Sequence, residues 1–334
     1  MNLRKISLGF ALLIVMLGTV LTAQAQKTTV SAPFIHKNLT VYLILGKDAM
    51  SHKNLLTLQE AMEKDLIIVY ETGSVNELEV ENVSTTYEIF IQSGDIVKGG
   101  KQDRVLAVDI ILPVKSGRIK ISSFCVESGR WQQRKGEDKE KFSTSNERVV
   151  TRDLKLAANL SKSQGEVWKE VSRAQDKLSS NVGTKVNAAE SGTSLQLALE
   201  NKAVAATTDE FVKKLAGIIN GKNNVIGYAF VINGEINSAD VYASNALFKK
   251  LWPKLLRATA VEAVAELTKG KTFVQPRPET VQNFLDKADG VAAREQRVNS
   301  RVTAVTRDDK DAVVFESRDE KEKVILHKSY VKKQ

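Results

Sequence analysis
Cys125 and Arg130 stand in the order Cys-x4-Arg, an outline in which a thiolate attacks sulfur or phosphorus while the arginine and backbone N–H groups hold the oxyanion and lower the thiol pKa. The full segment is Cys125-Val126-Glu127-Ser128-Gly129-Arg130-Trp131, and a second polar cluster, Lys101-Gln102-Asp103-Arg104, follows Gly99-Gly100 upstream. Two features weigh against a reactive thiol. Glu127 sets a negative charge where an anion must bind, and a polar run follows Trp131 where such a loop needs a helix N-terminus. A buried, inert Cys125 is therefore the favoured reading. Arg104 and Arg130 suit two-point contact with a carboxylate or phosphate. The competing arrangement is a clamp, with Asp103 pairing Arg130 or Glu127 pairing Arg104, that holds the two loops together. Asp103 and Glu127 also supply the residue types of an acid/base pair. Trp131 either packs over an arginine or closes the core. Gly99-Gly100 reads as a turn more readily than as a phosphate cradle. His36, His52 and His327 lack metal-ligand spacing, and there is no serine-hydrolase elbow, Walker loop or dinucleotide fingerprint, so no metal and no cofactor is expected.

These clusters need an element that brings them together. Val105–Leu112 and Arg118–Cys125 read as two strands joined by a turn at Pro113 and Ser116-Gly117, and a hairpin of that kind returns Cys125 to the neighbourhood of Asp103. Around it the pattern predicts strands at 39–45, 66–70, 78–83 and 87–91, with one early helix over 55–64 capped by Thr57 or Asn54. Residues 132–152 form a polar loop and 181–193 a polar link, separated by a helix over 163–178; further helical segments are expected at 194–200 and 209–219. Val225 to Tyr242 is the strongest local signal, two apolar runs around Asn233-Gly234. A long helix to about Leu267 follows, capped by Ser244 or Asn245, with Pro253 predicting a kink or break near Trp252. Two charged strands, 313–316 and 324–330, close the chain. The expected fold is α+β: a largely antiparallel β-rich N-terminal layer with helices packed on it, a β-hairpin plus long helix, and a small C-terminal β appendage. The expected division is 1–25, 26–270 and 271–334.

Residues 1–25 carry Arg4 and Lys5, then an uncharged apolar run from Leu8 to Leu21, then Ala23-Gln24-Ala25, the pattern of an export signal. Cleavage there leaves 309 of the 334 residues and takes the formal charge from +9 to +7, with no second segment apolar enough to span a bilayer. The chain is expected in the periplasm or secreted. A single Cys excludes an intramolecular disulfide. Lys and Arg alternate with Asp and Glu without aromatic interleaving, which argues against nucleic acid as a partner.

Four segments carry a family resemblance: Leu58 to Lys64, Gly99 to Arg104, Cys125 to Trp131 and Phe248 to Leu255. Together they resemble the ARG and rhodanese-phosphatase-superfamily-associated protein domain of bacteria, over roughly 39–267. The resemblance implies a domain assignment and no mechanism, because no activity is assigned to that family. The expected function is recognition of an anionic or carboxylate-bearing ligand, or of an envelope protein partner, by Lys101, Gln102, Asp103, Arg104, Glu127, Arg130 and Trp131. The alternatives are a hydrolase or transferase that uses Cys125, Glu127 or Asp103 at the same place, and a structural envelope protein.

Overall fold
Asn233 and Gly234 both take positive φ, 54° and 81°, as a tight hairpin turn requires, and the strands they join, Val225–Ile232 and Glu235–Tyr242, pair antiparallel. The computed structural model describes residues 27–51, 53–149 and 151–333, so the expected export signal at 1–25 lies outside the described residues. Among the described residues no helix is long and apolar enough to cross a membrane.

The hairpin sits inside a nine-stranded sheet. Leu39–Leu45 flanks it on one side, and on the other come Val324–Lys332, Ala312–Asp319, Val302–Asp308 and Ala293–Arg297 in that order. Every residue of Val225–Ile232 is buried, as its unbroken apolar run predicts for a strand covered on both faces. Tyr228 and Phe230 pack with Phe248, Trp252 and Leu255 of the helix Asn245–Ala265. Ile226, Ala229 and Val231 pack with Val281, Leu285 and Ala288 of the helix Pro278–Asp289 on the opposite face. The C-terminal strands, expected as an appendage, are built into this sheet, because Val324–Lys332 pairs with Glu235–Tyr242 from Ser238↔Val331 to Tyr242↔His327. The expected break at Pro253 is absent. The helix Asn245–Ala265 continues through it, since Pro253 lies on the exposed side where water can solvate the carbonyl that loses its bond.

The N-terminal part is a six-stranded sheet, Phe142–Arg148, Asp95–Gly99, Arg104–Leu106, Gly117–Cys125, Glu77–Asn82 and Ile67–Glu71, beside a three-stranded one. The mixed α+β class expected from the pattern is the observed one. The early helix is Leu58–Glu63, and Thr57 closes a capping box with Glu60. Two local expectations change. The strand expected over 105–112 is broken: Arg104–Leu106 pairs with Ser123–Cys125, while Ile110–Leu112 leaves to pair with Ile89–Ile91. Asp109, at the break, turns its carboxylate to the Ser93 N–H and to Ser317. The polar run 132–152 is no simple loop, for Phe142–Arg148 pairs with Asp95–Gly99. It buries Ser145, Glu147 and Arg148 in place of apolar residues, so hydrophobic alternation could not reveal it.

Candidate functional site
Antiparallel return places Cys125 directly opposite Arg104, so the two motif clusters do converge. Their charges are satisfied by one another. Asp103 is wholly buried and accepts a two-point fork from Arg134, the Gly99 N–H at 3.0 Å and the Ser194 hydroxyl at 3.0 Å. Glu127, equally buried, holds Arg130 through Nε at 2.8 Å and Nη2 at 2.7 Å. Arg104 is fully enclosed between Gln102, Cys125, the Ser74 carbonyl and Glu71, with its bonds to Glu71 at 3.4 Å. Of the two pairings the sequence suggested, Asp103 with Arg130 is present only at 3.7 Å, and Arg104 takes Glu71 in place of Glu127. Arg134 and Glu71 were missed because one lies in the polar run and the other in a remote strand.

Burial pushes Cys125 up to about 11, against the opposing Arg104 and with help from Glu71 and Glu127. Burial also lifts the Asp103 carboxyl above its usual range despite Arg134. Burial works the same way on Glu127, but bonds from Arg130 and Ser191 outweigh it and hold that carboxyl low. Both carboxylates lie inside guanidinium forks, which leaves neither free for proton transfer. Gln102 reaches across to the Glu127 carbonyl at 2.9 Å. Trp131, 46% exposed, covers Lys101 at 5.1 Å and Arg104 at 5.6 Å from its ring centroid. Gly100 has φ +55°, and a Cβ there would sit 2.6 Å from the Phe142 ring, so packing alone accounts for the glycine.

A second polar centre lies in the wall of a cavity of about 810 Å³, between the C-terminal strands of the nine-stranded sheet and the π-helical turn Ala157–Ser161. His327 bridges two carboxylates there, Nδ1 to Asp109 at 2.7 Å and Nε2 to Asp240 at 3.2 Å, and stacks on Tyr242 at 4.5 Å. Burial disfavours its charge, yet Asp109 and Asp240 together raise it to about 9, so it is an imidazolium at neutral pH. Both ring nitrogens face carboxylates, and Nε2 also lies 3.4 Å from the Gln92 amide nitrogen.

Arg148 lines the same cavity, 4% exposed, and is bonded only through Nη2 to the Ser93 carbonyl at 2.7 Å. Among the described residues it makes no ion pair, and its buried Nε has no hydrogen-bond partner. Burial opposes its charge, but the fields of Asp95 and Asp240 prevail and raise its pKa. Lys155, half-buried, also lines the cavity, and its ammonium lies 5.7 Å from the Phe230 ring without a side-chain hydrogen bond or ion pair among the described residues.

The model of one protein family, described as the ARG and Rhodanese-Phosphatase-superfamily-associated Protein domain (ARPP-1), matches residues 27–331. The chain belongs to that family. No curated protein and no solved structure matches it. The match extends past the span 39–267 suggested by the motif segments and takes in the C-terminal strands. In this ARPP-1 chain the cavity residues were the ones that motif reading passed over. A signal was present: Asp240 lies between Ala239 and Val241 in a buried strand, where an unpaired carboxylate is costly. His327 was considered only as a metal ligand.

Proposed function
We propose that this ARPP-1 domain is a recognition protein for a small anionic ligand, bound in the cavity beside Arg148 and not on the 101–131 surface. Arg148 carries the reading. Its guanidinium is out of water with one hydrogen bond and no carboxylate in contact, held charged by the fields of Asp95 and Asp240, so an anion entering the cavity would supply the contacts it lacks. The 101–131 cluster lacks this property, because its arginines already hold Glu71, Asp103, Glu127 and Glu137. A binding role suits the cavity better than catalysis, since His327 is locked between Asp109 and Asp240 and Cys125 is buried elsewhere. The charged and then apolar stretch before residue 26 supports a role outside the cytoplasm.

The test is calorimetric titration at low salt with acetate, citrate, sulfate and phosphate, on the wild type, Arg148→Met and Arg130→Ala. At least one anion should bind the wild type and Arg130→Ala, and Arg148→Met should weaken it by roughly 10- to 100-fold, as expected for a charge-assisted contact. Silence from all of these anions and from longer-chain carboxylates would refute the reading. Binding kept in Arg148→Met but lost in Arg130→Ala would move the site back to the motif surface.

A further inference from the structure
The sheet face that walls the cavity changes character along its strands. Register places His327 beside Ser317, Ser329 beside Phe315 and Val331 beside Val313, and the next strand adds Ala304 and Thr306 to the first two rows. Alternate residues share a face, so His327, Ser329 and Val331 climb one wall in steps of about 7 Å. The first row is polar and joined to Asp109; the last sets Val331 and Val313 beside Asp308. Phe315, half-buried, and Val331, fully buried, line the cavity yet belong to none of the three packed apolar clusters. Phe124 contributes a further apolar surface from the strand Gly117–Cys125. Of these, Phe315 keeps appreciable surface open to the cavity.

Charge sits at the other end of the wall. Arg148 donates to the Ser93 carbonyl, the Ser93 N–H donates to Asp109, and Asp109 holds His327. Arg148, Lys155 and His327 meet Asp109 and Asp240 here, and Lys162, Arg294 and Arg297 add cations along the same lining, so positive charge is in excess. Asp95 is taken up by Lys254 at 3.2 Å, and Glu262, near Lys155, is lifted by burial toward its neutral form. The mouth carries Glu295 and Glu316 bonded to Arg318, and Asp308 paired with Lys333.

We propose that the ligand is an amphipathic carboxylic acid, with its carboxylate at the Arg148 and Lys155 end and a hydrocarbon or aromatic body against Phe315 and Phe124. This inference rests on the anion-binding reading of the cavity and adds the ligand's class to it. The surplus of positive charge attracts a carboxylate, and the exposed part of Phe315 rewards each methylene that reaches it.

The experiment is a titration series of acetate, hexanoate and octanoate, with 1-octanol and inorganic phosphate as controls, against the wild type, Phe315→Leu, Phe315→Ala and Arg148→Met. Each added methylene that meets the wall should tighten binding by about fourfold. Octanol and phosphate should each bind at least tenfold more weakly than octanoate by the same reasoning. Phe315→Ala should weaken octanoate and leave acetate unchanged, with Phe315→Leu between them. Acetate or phosphate binding as tightly as octanoate would overturn the apolar body and leave the anion reading standing. Octanol matching octanoate would overturn the role of the carboxylate, and silence from every acid and from phosphate would overturn both readings. The wild-type series alone decides these outcomes, so a variant that fails to fold does not shelter the proposal.

Discussion

Replacing Arg134 with Met asks whether the motif cluster is a clamp. The substitution keeps most of the side chain's bulk and removes both hydrogen bonds to Asp103 and the one to Glu137. Breaking a buried ion pair from one side costs about 3–5 kcal/mol, because the other charge is left in low dielectric. Asp103 keeps the Gly99 N–H and the Ser194 hydroxyl, and Arg130 stands 3.7 Å away, so the cost falls at the lower end. We expect about 2–4 kcal/mol, or a fall in Tm of roughly 4–8 °C for a chain of this size. Urea unfolding at pH 7 reads it as a lower midpoint with an unchanged slope. Asp103→Asn and the double variant complete a cycle, in which direct contact should appear as a coupling of about 1–3 kcal/mol. Arg134→Met unfolding within about 0.5 kcal/mol of the wild type, or a coupling near zero, would refute the clamp. The arginines of the 101–131 surface would then be free to serve a ligand.

With a thiol at about 11, roughly one Cys125 in ten thousand is ionised at pH 7, so an aromatic disulfide reagent should label the protein only after unfolding; rapid labelling of the native state would disprove the burial argument. His327 has a folded pKa near 9 against 6.5 unfolded, so its stabilisation, about 3 kcal/mol at most, is fully present below pH 6.5 and is lost as pH rises through 9. Asp109 and Asp240 are both held low, so theirs is present above the ordinary carboxylate range and is lost in acid. Stability measured from pH 6 to 10 should therefore decline in the wild type and flatten in His327→Gln, and parallel curves would contradict the assignment. A Cβ at Gly227 would stand 2.2 Å from the Asp240 carbonyl oxygen and 2.9 Å from the Val241 Cα, both backbone atoms of the paired strand. Gly227→Ala should cost about 3 kcal/mol or more by urea unfolding, and a variant as stable as the wild type would show that the hairpin can relax around it.

Arg148→Met separates a functional arginine from a structural one without any ligand. Arg148 has a single side-chain hydrogen bond and no ion pair among the described residues, so its removal should cost less than about 2 kcal/mol, whereas an arginine that clamps the fold would cost about 3–5 kcal/mol. A loss of more than about 2 kcal/mol by calorimetric melting would count against the cavity reading.

Local chemistry was readable from residue order alone. Asn233-Gly234 sets a hairpin because few residue pairs accept two consecutive positive φ angles, and Thr57, Ser163 and Ser244 cap helices because their side-chain oxygens reach N–H groups two or three residues on. The meeting of Arg104 with Cys125 was also readable, since an antiparallel return is a short-range event even when the outgoing strand breaks at Asp109. The α+β class and the family followed from such segments. Residue order could not reveal what each charge would meet. Phe142–Arg148 carries no apolar alternation because its inward positions are polar, and Arg134 reads as solvated until Asp103 is placed beside it. The cavity centre joins His327 to Asp109 across 218 positions and to Asp240 across 87. That contact exists because Val324–Lys332 inserts beside Glu235–Tyr242, and strand order in a sheet is decided by the burial of whole faces, a property of the folded chain that no local pattern carries.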